Sequence, residues 1–165
     1  MKSAPVHPRW KSIAIILAIV LASTGTAGVY VWKAHLHPSV HPYETAHITL
    51  GHQTVTVRIP MTRAASELGL GGVTSLPDTS GMLWDFQPPS QPTFWMKGMK
   101  IGLDFIWIRN NVVTAIDPNV PPPTMTLDLP LYEPKENVDH VLEVAAGFSA
   151  RHNIRLGDHV DIDTP

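Results

Sequence analysis

From His47 onward, apolar and polar residues alternate. Ile48, Leu50, Val55, Val57 and Ile59 are separated mostly by polar side chains, the period-two pattern of half-buried strands. Gly51-His52 between the two runs predicts a tight turn. Pro60 has no N–H to give a ladder and predicts the end of the second strand. Thr62 suits the cap of a short helix running to about Leu68, with Gly69 as its stop. Gly81 to Phe86 predicts a strand, Pro88, Pro89 and Pro92 a rigid loop, and Phe94 to Lys97 a short extended aromatic segment. Asp104 to Arg109 and Val112 to Ile116 flank Asn110-Asn111, a pair that tolerates positive φ and so predicts a two-residue hairpin turn. Pro118 to Pro123 reads as a Pro-rich loop. Met125, Leu127 and Leu129 then alternate as an edge strand, and Asp139 to Ala145 forms another. Ala146 to His152 predicts a second short helix, and Gly157-Asp158 a turn into a last strand at His159 to Ile162. Many short strands with one or two short helices predict a mainly β domain over residues 47–163, compact and of sandwich or barrel type.

The N-terminal pattern is different. Lys2, Arg9 and Lys11 precede an apolar run from Ile13 to Leu21. Small residues follow from Ser23 to Gly28, and Val29 to Trp32 restores the apolar character before Lys33. The expected organisation is a cytoplasmic segment at 1–11, a transmembrane helix at 12–32, a flexible tether at 33–46 and the β domain at 47–163. Ser12 to Trp32 approaches the roughly 20 residues that cross a bilayer core. Tyr30 and Trp32 would lie at the outer interface, and the preceding cations orient the N-terminus inwards. The alternative is a cleaved secretory signal, with the small-residue stretch as the cleavage region. Both place the β domain outside the cytoplasm, anchored in the cell membrane in the first case and periplasmic or secreted in the second.

Composition narrows the function classes. The net charge is -2 with 9 His taken as neutral, which gives no basic field for nucleic acid. With 0 Cys, disulfides, thiolate metal sites and thiol nucleophiles are excluded. His35, His37 and His41 lie in a segment interrupted by Pro38 and Pro42, which does not preorganise metal ligands. His140, His152 and His159 lack the spacing of a zinc motif. Gly69, Gly71 and Gly72 follow a helix, whereas a phosphate-cradling loop follows a strand. No metal and no cofactor is expected.

Six short blocks stand in a recognisable order: Gly81-Met82-Leu83, Phe94-Trp95-Met96-Lys97, Leu103-Asp104, Val141-Leu142-Glu143, Ala146-Gly147 and Gly157-Asp158. In these the chain resembles the DUF192 family from about Ala46 to Asp163. The resemblance implies a compact β-sandwich-like fold with short helices, commonly behind a signal or anchor, and no assigned activity. Two stretches depart from the family pattern. Gly69-Leu70-Gly71-Gly72 lacks the basic residue that usually follows, and Gly98-Met99 and Gly102 replace a usual Asn-Thr pair and Pro.

Candidate ligand-binding residues are Trp95, Met96, Lys97 and Asp104. Trp95 offers a stacking face and Met96 an adaptable apolar surface, although both also suit a core. Asp104 opens an apolar strand and is the one weak catalytic candidate, as an acid or base at a cleft mouth beside Lys97. The competing reading has it fixing the Gly98 to Gly102 turn through backbone N–H groups. By alternation Glu143 faces away from Leu142 and Val144, most simply toward solvent. The leading expectation is a non-enzymatic, membrane-tethered domain that binds a small molecule, a glycan or an envelope protein. The alternatives are an envelope hydrolase using Asp104, with Glu143 or His140, and a structural accessory domain of an envelope complex.

Overall fold

Period-two alternation becomes a hairpin at the start of the domain. Strands β1 (Tyr43–Leu50) and β2 (Gln53–Pro60) pair antiparallel about the Gly51-His52 turn, and Gly51 takes φ 63°. The computed structural model describes residues 41–124 and 129–163. The expected membrane helix at 12–32 and the tether as far as residue 40 lie outside the described residues, as does most of the strand expected at Met125 to Leu129. Among the described residues no helix is long and apolar enough to cross a membrane.

The hairpin starts earlier than the pattern suggests. Tyr43 already pairs with Pro60 and Glu44 with Ile59, and Arg58 stacks over the Tyr43 ring at 5.0 Å. Residues 43–46 therefore belong to the sheet and not to a tether. Helix α1 (Arg63–Leu68) forms as expected: the Thr62 hydroxyl accepts from Ala65 N, and Gly69 ends the helix with φ 54°.

Beyond α1 come β3 (Ser80–Ser90), β4 (Phe94–Trp95), β5 (Leu103–Arg109), β6 (Val112–Val120), β7 (Leu131–Tyr132), β8 (Val138–Ala145), α2 (Phe148–Arg151) and β9 (Val160–Asp163). Asn110 and Asn111 turn β5 into β6 with φ 50° and 60°. Prolines do not break the strands as their residue type suggests. Pro88 and Pro89 fall where the β3–β8 register shifts, and Pro118 lies in β6 opposite a register shift between Leu103 and Phe105. A bulge needs no ladder N–H at the displaced residue, so it accommodates proline.

Seven strands form one sheet in the order β6-β5-β8-β3-β2-β1-β9, and β4 and β7 form a separate two-stranded piece. The large sheet curls until its edges meet at one corner. Val113 N donates to Asp158 O, Gly157 N to Val113 O, and Val160 N to Asn111 O. The domain is thus mainly β, a curled half-barrel with two short helices.

The curl makes two apolar layers. All seven strands supply the inner one, including Ile48, Leu50, Val57, Leu83, Ile106, Leu142 and Val160, closed by Phe148. The outer layer joins Met82, Leu103, Phe105, Trp107 and Val141 to Leu70, Phe94, Met96 and Met99, from the segments that cross over the sheet. Strands β5 and β8 are consequently buried on both faces, which gives their near-continuous apolar runs.

Candidate functional site

Cross-strand register assembles the site. Met82 pairs with Glu143 and Trp84 with Val141 across β3 and β8, while Phe105 pairs with Glu143 across β5 and β8. Directly paired residues share a face, and diagonal neighbours lie within reach of large side chains. Trp84, Glu143, Leu103 and Phe105 therefore project from the outer face of the sheet. Above them pass the end of α1 and the β4 segment, and between these layers lies an open cleft of about 270 Å³. Leu68, Leu70, Trp84, Phe86, Phe94, Met99 and Leu103 make its walls apolar, and Glu143 is part of its lining. Phe94 stacks edge-on to Trp84 at 5.2 Å and to Phe86 at 6.3 Å, so the wall is a packed aromatic cluster.

Trp95 and Lys97 stand at the mouth. Trp95 is 53 % exposed, and the Lys97 ammonium sits over its ring at 5.8 Å, within cation–π range. Trp95 is exposed because β4 alternates: Phe94 points into the aromatic cluster and Trp95 points out. Met96 turns inward again and is core, at 2 % exposure. Arg63 and Glu67 also border the cleft, ion-paired to each other at 2.7 Å on the surface of α1.

Asp104 is elsewhere. It pairs with Val144 and so faces the inner layer, on the opposite side of the sheet from Glu143. It is fully buried, and its oxygens are taken up by the backbone. Oδ1 accepts from Asn119 N and Gly147 N, and Oδ2 from Ser149 N, each at 2.8 Å. The bulge in β6 aims Asn119 N–H inward, and Gly147 and Ser149 begin α2. Asp104 therefore ties three chain segments together. Its partners are not in the Gly98 to Gly102 turn, and it neither reaches the cleft nor forms a pair of carboxylates with Glu143. His140 is also apart from the cleft, 3.0 Å from Asp139 and 3.7 Å from Asp85.

The solvated face expected for Glu143 is instead covered by the crossing segments. Glu143 is 5 % exposed, and burial pushes its carboxyl up to about 8, with the Trp84 indole N–H opposing part of that shift. That N–H makes no hydrogen bond of regular geometry: Trp84 Nε1 is buried and unpartnered. Sequence reasoning weighed Glu143 only as a solvated residue or a partner for Asp104, and did not single out Trp84 as a site member. The residue type of Glu143 pointed to solvent; the available signal was the apolar run around it, Val141, Leu142, Val144 and Ala145, which suits a strand buried on both faces.

Other polar clusters have structural work. Asp78 receives Arg151 through both oxygens, at 2.6 and 3.0 Å, and His152 at 3.0 Å. Those two partners hold its carboxyl down at about 2. His52, His152 and His159 line a separate open depression with Asp158 and Asp161. Among the described residues no group of three or more His, Asp or Glu is placed to hold a metal ion.

The family model for DUF192, described as "Uncharacterized ACR", matches residues 46–162. No curated protein matches the chain. A crystal structure of a Sinorhizobium meliloti protein, named as a candidate transcription regulator, superposes with a TM-score of 0.64 at 26 % identity, covering 74 % of this chain and 96 % of that one. A protein of unknown function from Novosphingobium aromaticivorans gives a TM-score of 0.59 at 28 % identity, covering 82 % and 99 %.

Proposed function

The chain belongs to the DUF192 family, and we propose that it acts as a membrane-tethered, extracytoplasmic binding domain that takes a small, largely apolar ligand into the cleft between α1 and β4. The observation that carries this reading is the cleft itself. It is concave, walled by aromatic and aliphatic side chains and open at a mouth where Trp95 is half-exposed. Binding sites for small molecules have this make-up, an apolar pocket with a few placed polar groups. Its volume suits one ring or a short chain. The N-terminal pattern of cations, apolar run and interfacial aromatics supports the tether. A net charge of -2 does not draw the chain to phosphate backbones.

A second reading has one specific support. Trp95 and Leu131 pair across β4 and β7, and both are more than half exposed, as is Leu68 on the cleft wall. This apolar rim suits a partner protein that inserts a side chain.

Soaking crystals of the protein with a library of small ring compounds tests the first reading. Compounds seated between Leu68, Phe94 and Trp84 are the expected result, with binding weakened about tenfold or more in Trp95→Ala. Compounds that bind only outside the cleft overturn it. Carbonate extraction of cells tests the tether: a full-length protein that stays in the pellet supports it, and a shortened soluble form refutes it.

A further inference from the structure

The walls of the cleft are mainly apolar, although Ser66 and Thr93 are among its lining, and its floor carries a carboxyl. Glu143 comes from the centre of the sheet, flanked by Met82 on one side and Phe105 on the other, and it lines the cleft while almost wholly buried. Beside it lies the unpartnered Trp84 Nε1. The two cations of the lining are engaged higher up, Arg63 with Glu67 and Lys97 over Trp95. The indole N–H is near enough to oppose part of the Glu143 shift but makes no hydrogen bond of regular geometry, so the two polar groups share the floor without a full set of partners. Native proteins seldom leave such groups unpaired without a reason, because an unmade bond at a buried donor is costly.

Resting on the cleft reading above, we propose that Glu143, backed by the Trp84 indole, selects the ligand's head group: a neutral hydroxyl or primary amide at the end of an apolar ring or short chain. The argument is one of complementarity. A neutral carboxyl offers the cleft one O–H donor and carbonyl acceptor capacity, while the neighbouring indole N–H has no exposed surface and acts on Glu143 itself. A hydroxyl or an amide both donates and accepts, so it completes this set. A bare hydrocarbon of the same shape leaves the floor as unpaired as it was. A ligand carboxylate has to lose its hydration in the same apolar site, which disfavours it. Burial of Glu143 in this position favours its neutral form at physiological pH, in keeping with a head group that carries no charge. Sites built to bond a hydroxyl reject analogues without one far more strongly than apolar pockets reject a missing methylene.

Four probes of one shape separate the outcomes: p-cresol, p-toluamide, toluene and p-toluate. The full-length chain, labelled with ¹⁵N at its tryptophan side chains, is titrated with each at about pH 6, where an ordinary carboxylate ligand is charged. Trp84→Phe and Trp95→Phe assign the two resonances. The expected result is saturable binding of p-cresol and p-toluamide that shifts both the Trp84 and Trp95 N–H signals. Toluene and p-toluate are then weaker by about tenfold or more, the equivalent of one lost hydrogen bond. Glu143→Gln retains this ranking, because a carboxamide also donates and accepts. Four probes that bind equally, moving Trp95 but not Trp84, overturn the inference and leave the cleft reading standing. Tightest binding by p-toluate also overturns it. If no probe moves either signal, the cleft reading fails and the inference fails with it.

Discussion

Replacing Asp104 by Asn separates a structural role from a catalytic one. In the folded chain the Asp104 carboxylate accepts three backbone N–H bonds, each at 2.8 Å, in a site with no solvent exposure. Hydrogen bonds to a charged group contribute about 1.5–3 kcal/mol each. Asn keeps one oxygen, which can serve Asn119 and Gly147, but these bonds lose their charge assistance. Its NH₂ then opposes the Ser149 N–H, so one bond is lost and two donors meet. The summed cost is on the order of 3–5 kcal/mol, against a total stability of about 5–15 kcal/mol for a domain of this size. Urea unfolding followed by tryptophan fluorescence measures it, with an unchanged slope and a lower midpoint as the expected result. Asp104→Ala removes all three acceptors and is expected to exceed the Asn cost. An Asn variant within about 1 kcal/mol of the parent would refute the reasoning, since three N–H groups that meet on a buried carboxylate cannot be left half-served so cheaply.

Two further predictions concern the neighbourhood of the cleft. The carboxyl of Glu143 titrates near 8 when folded and near 4.5 when unfolded, so between those values the folded chain holds a proton that the unfolded chain releases. Stability from this group is therefore full below about pH 4.5, declines as pH rises toward 8 and is level above; the whole window is worth at most about 5 kcal/mol. Glu143→Gln is expected to match the parent near pH 4 and to exceed it by a few kcal/mol near pH 8, and equal slopes for the two proteins across a urea–pH series would contradict it. Gly81→Ala places a Cβ 2.7 Å from Glu143 O and 3.2 Å from Val144 Cγ1, forcing β3 from β8. Thermal unfolding is expected to show a loss of about 1–3 kcal/mol, and an unaltered midpoint would mean that the strands have more freedom than their register implies.

What was legible in the chain was local. The Gly51-His52 and Asn110-Asn111 turns, the Thr62 cap and the Gly69 stop follow from backbone preferences of single residues, and the structure has all four. Family blocks carried the fold class. What was not legible depends on contacts between segments distant in the chain. Glu143 alternates away from Leu142 and Val144 just as a solvated residue would. Only the crossing of β4 and the loop after α1 turns that face into an interior, and alternation contains no term for a second layer. Trp95 could have been surface or core on the same pattern, because its exposure depends on which side of a two-residue strand meets the aromatic cluster. Trp84 and Glu143 are 59 positions apart in the sequence and become neighbours only through the β3–β8 register.

Asp104 takes the backbone-anchoring role that was one reading of its position, Glu143 loses the solvent expected for it, and the sheet explains both. Both are buried carboxyl groups on adjacent central strands, one residue apart in register. One residue in register is a change of face. On the inner face Asp104 meets the start of α2 and the β6 bulge, two places where a chain has backbone N–H groups without ladder partners. Its hydrogen-bonding capacity is used there, and what it does for the protein is hold those segments. On the outer face Glu143 meets packed side chains, with a single indole N–H beside it, so most of its capacity is unspent and it lines a cleft. A buried acid whose lone pairs are filled by the fold has little left for a ligand. A buried acid that the fold leaves unpaired is costly to keep unless something completes it, and in this domain that residue is Glu143.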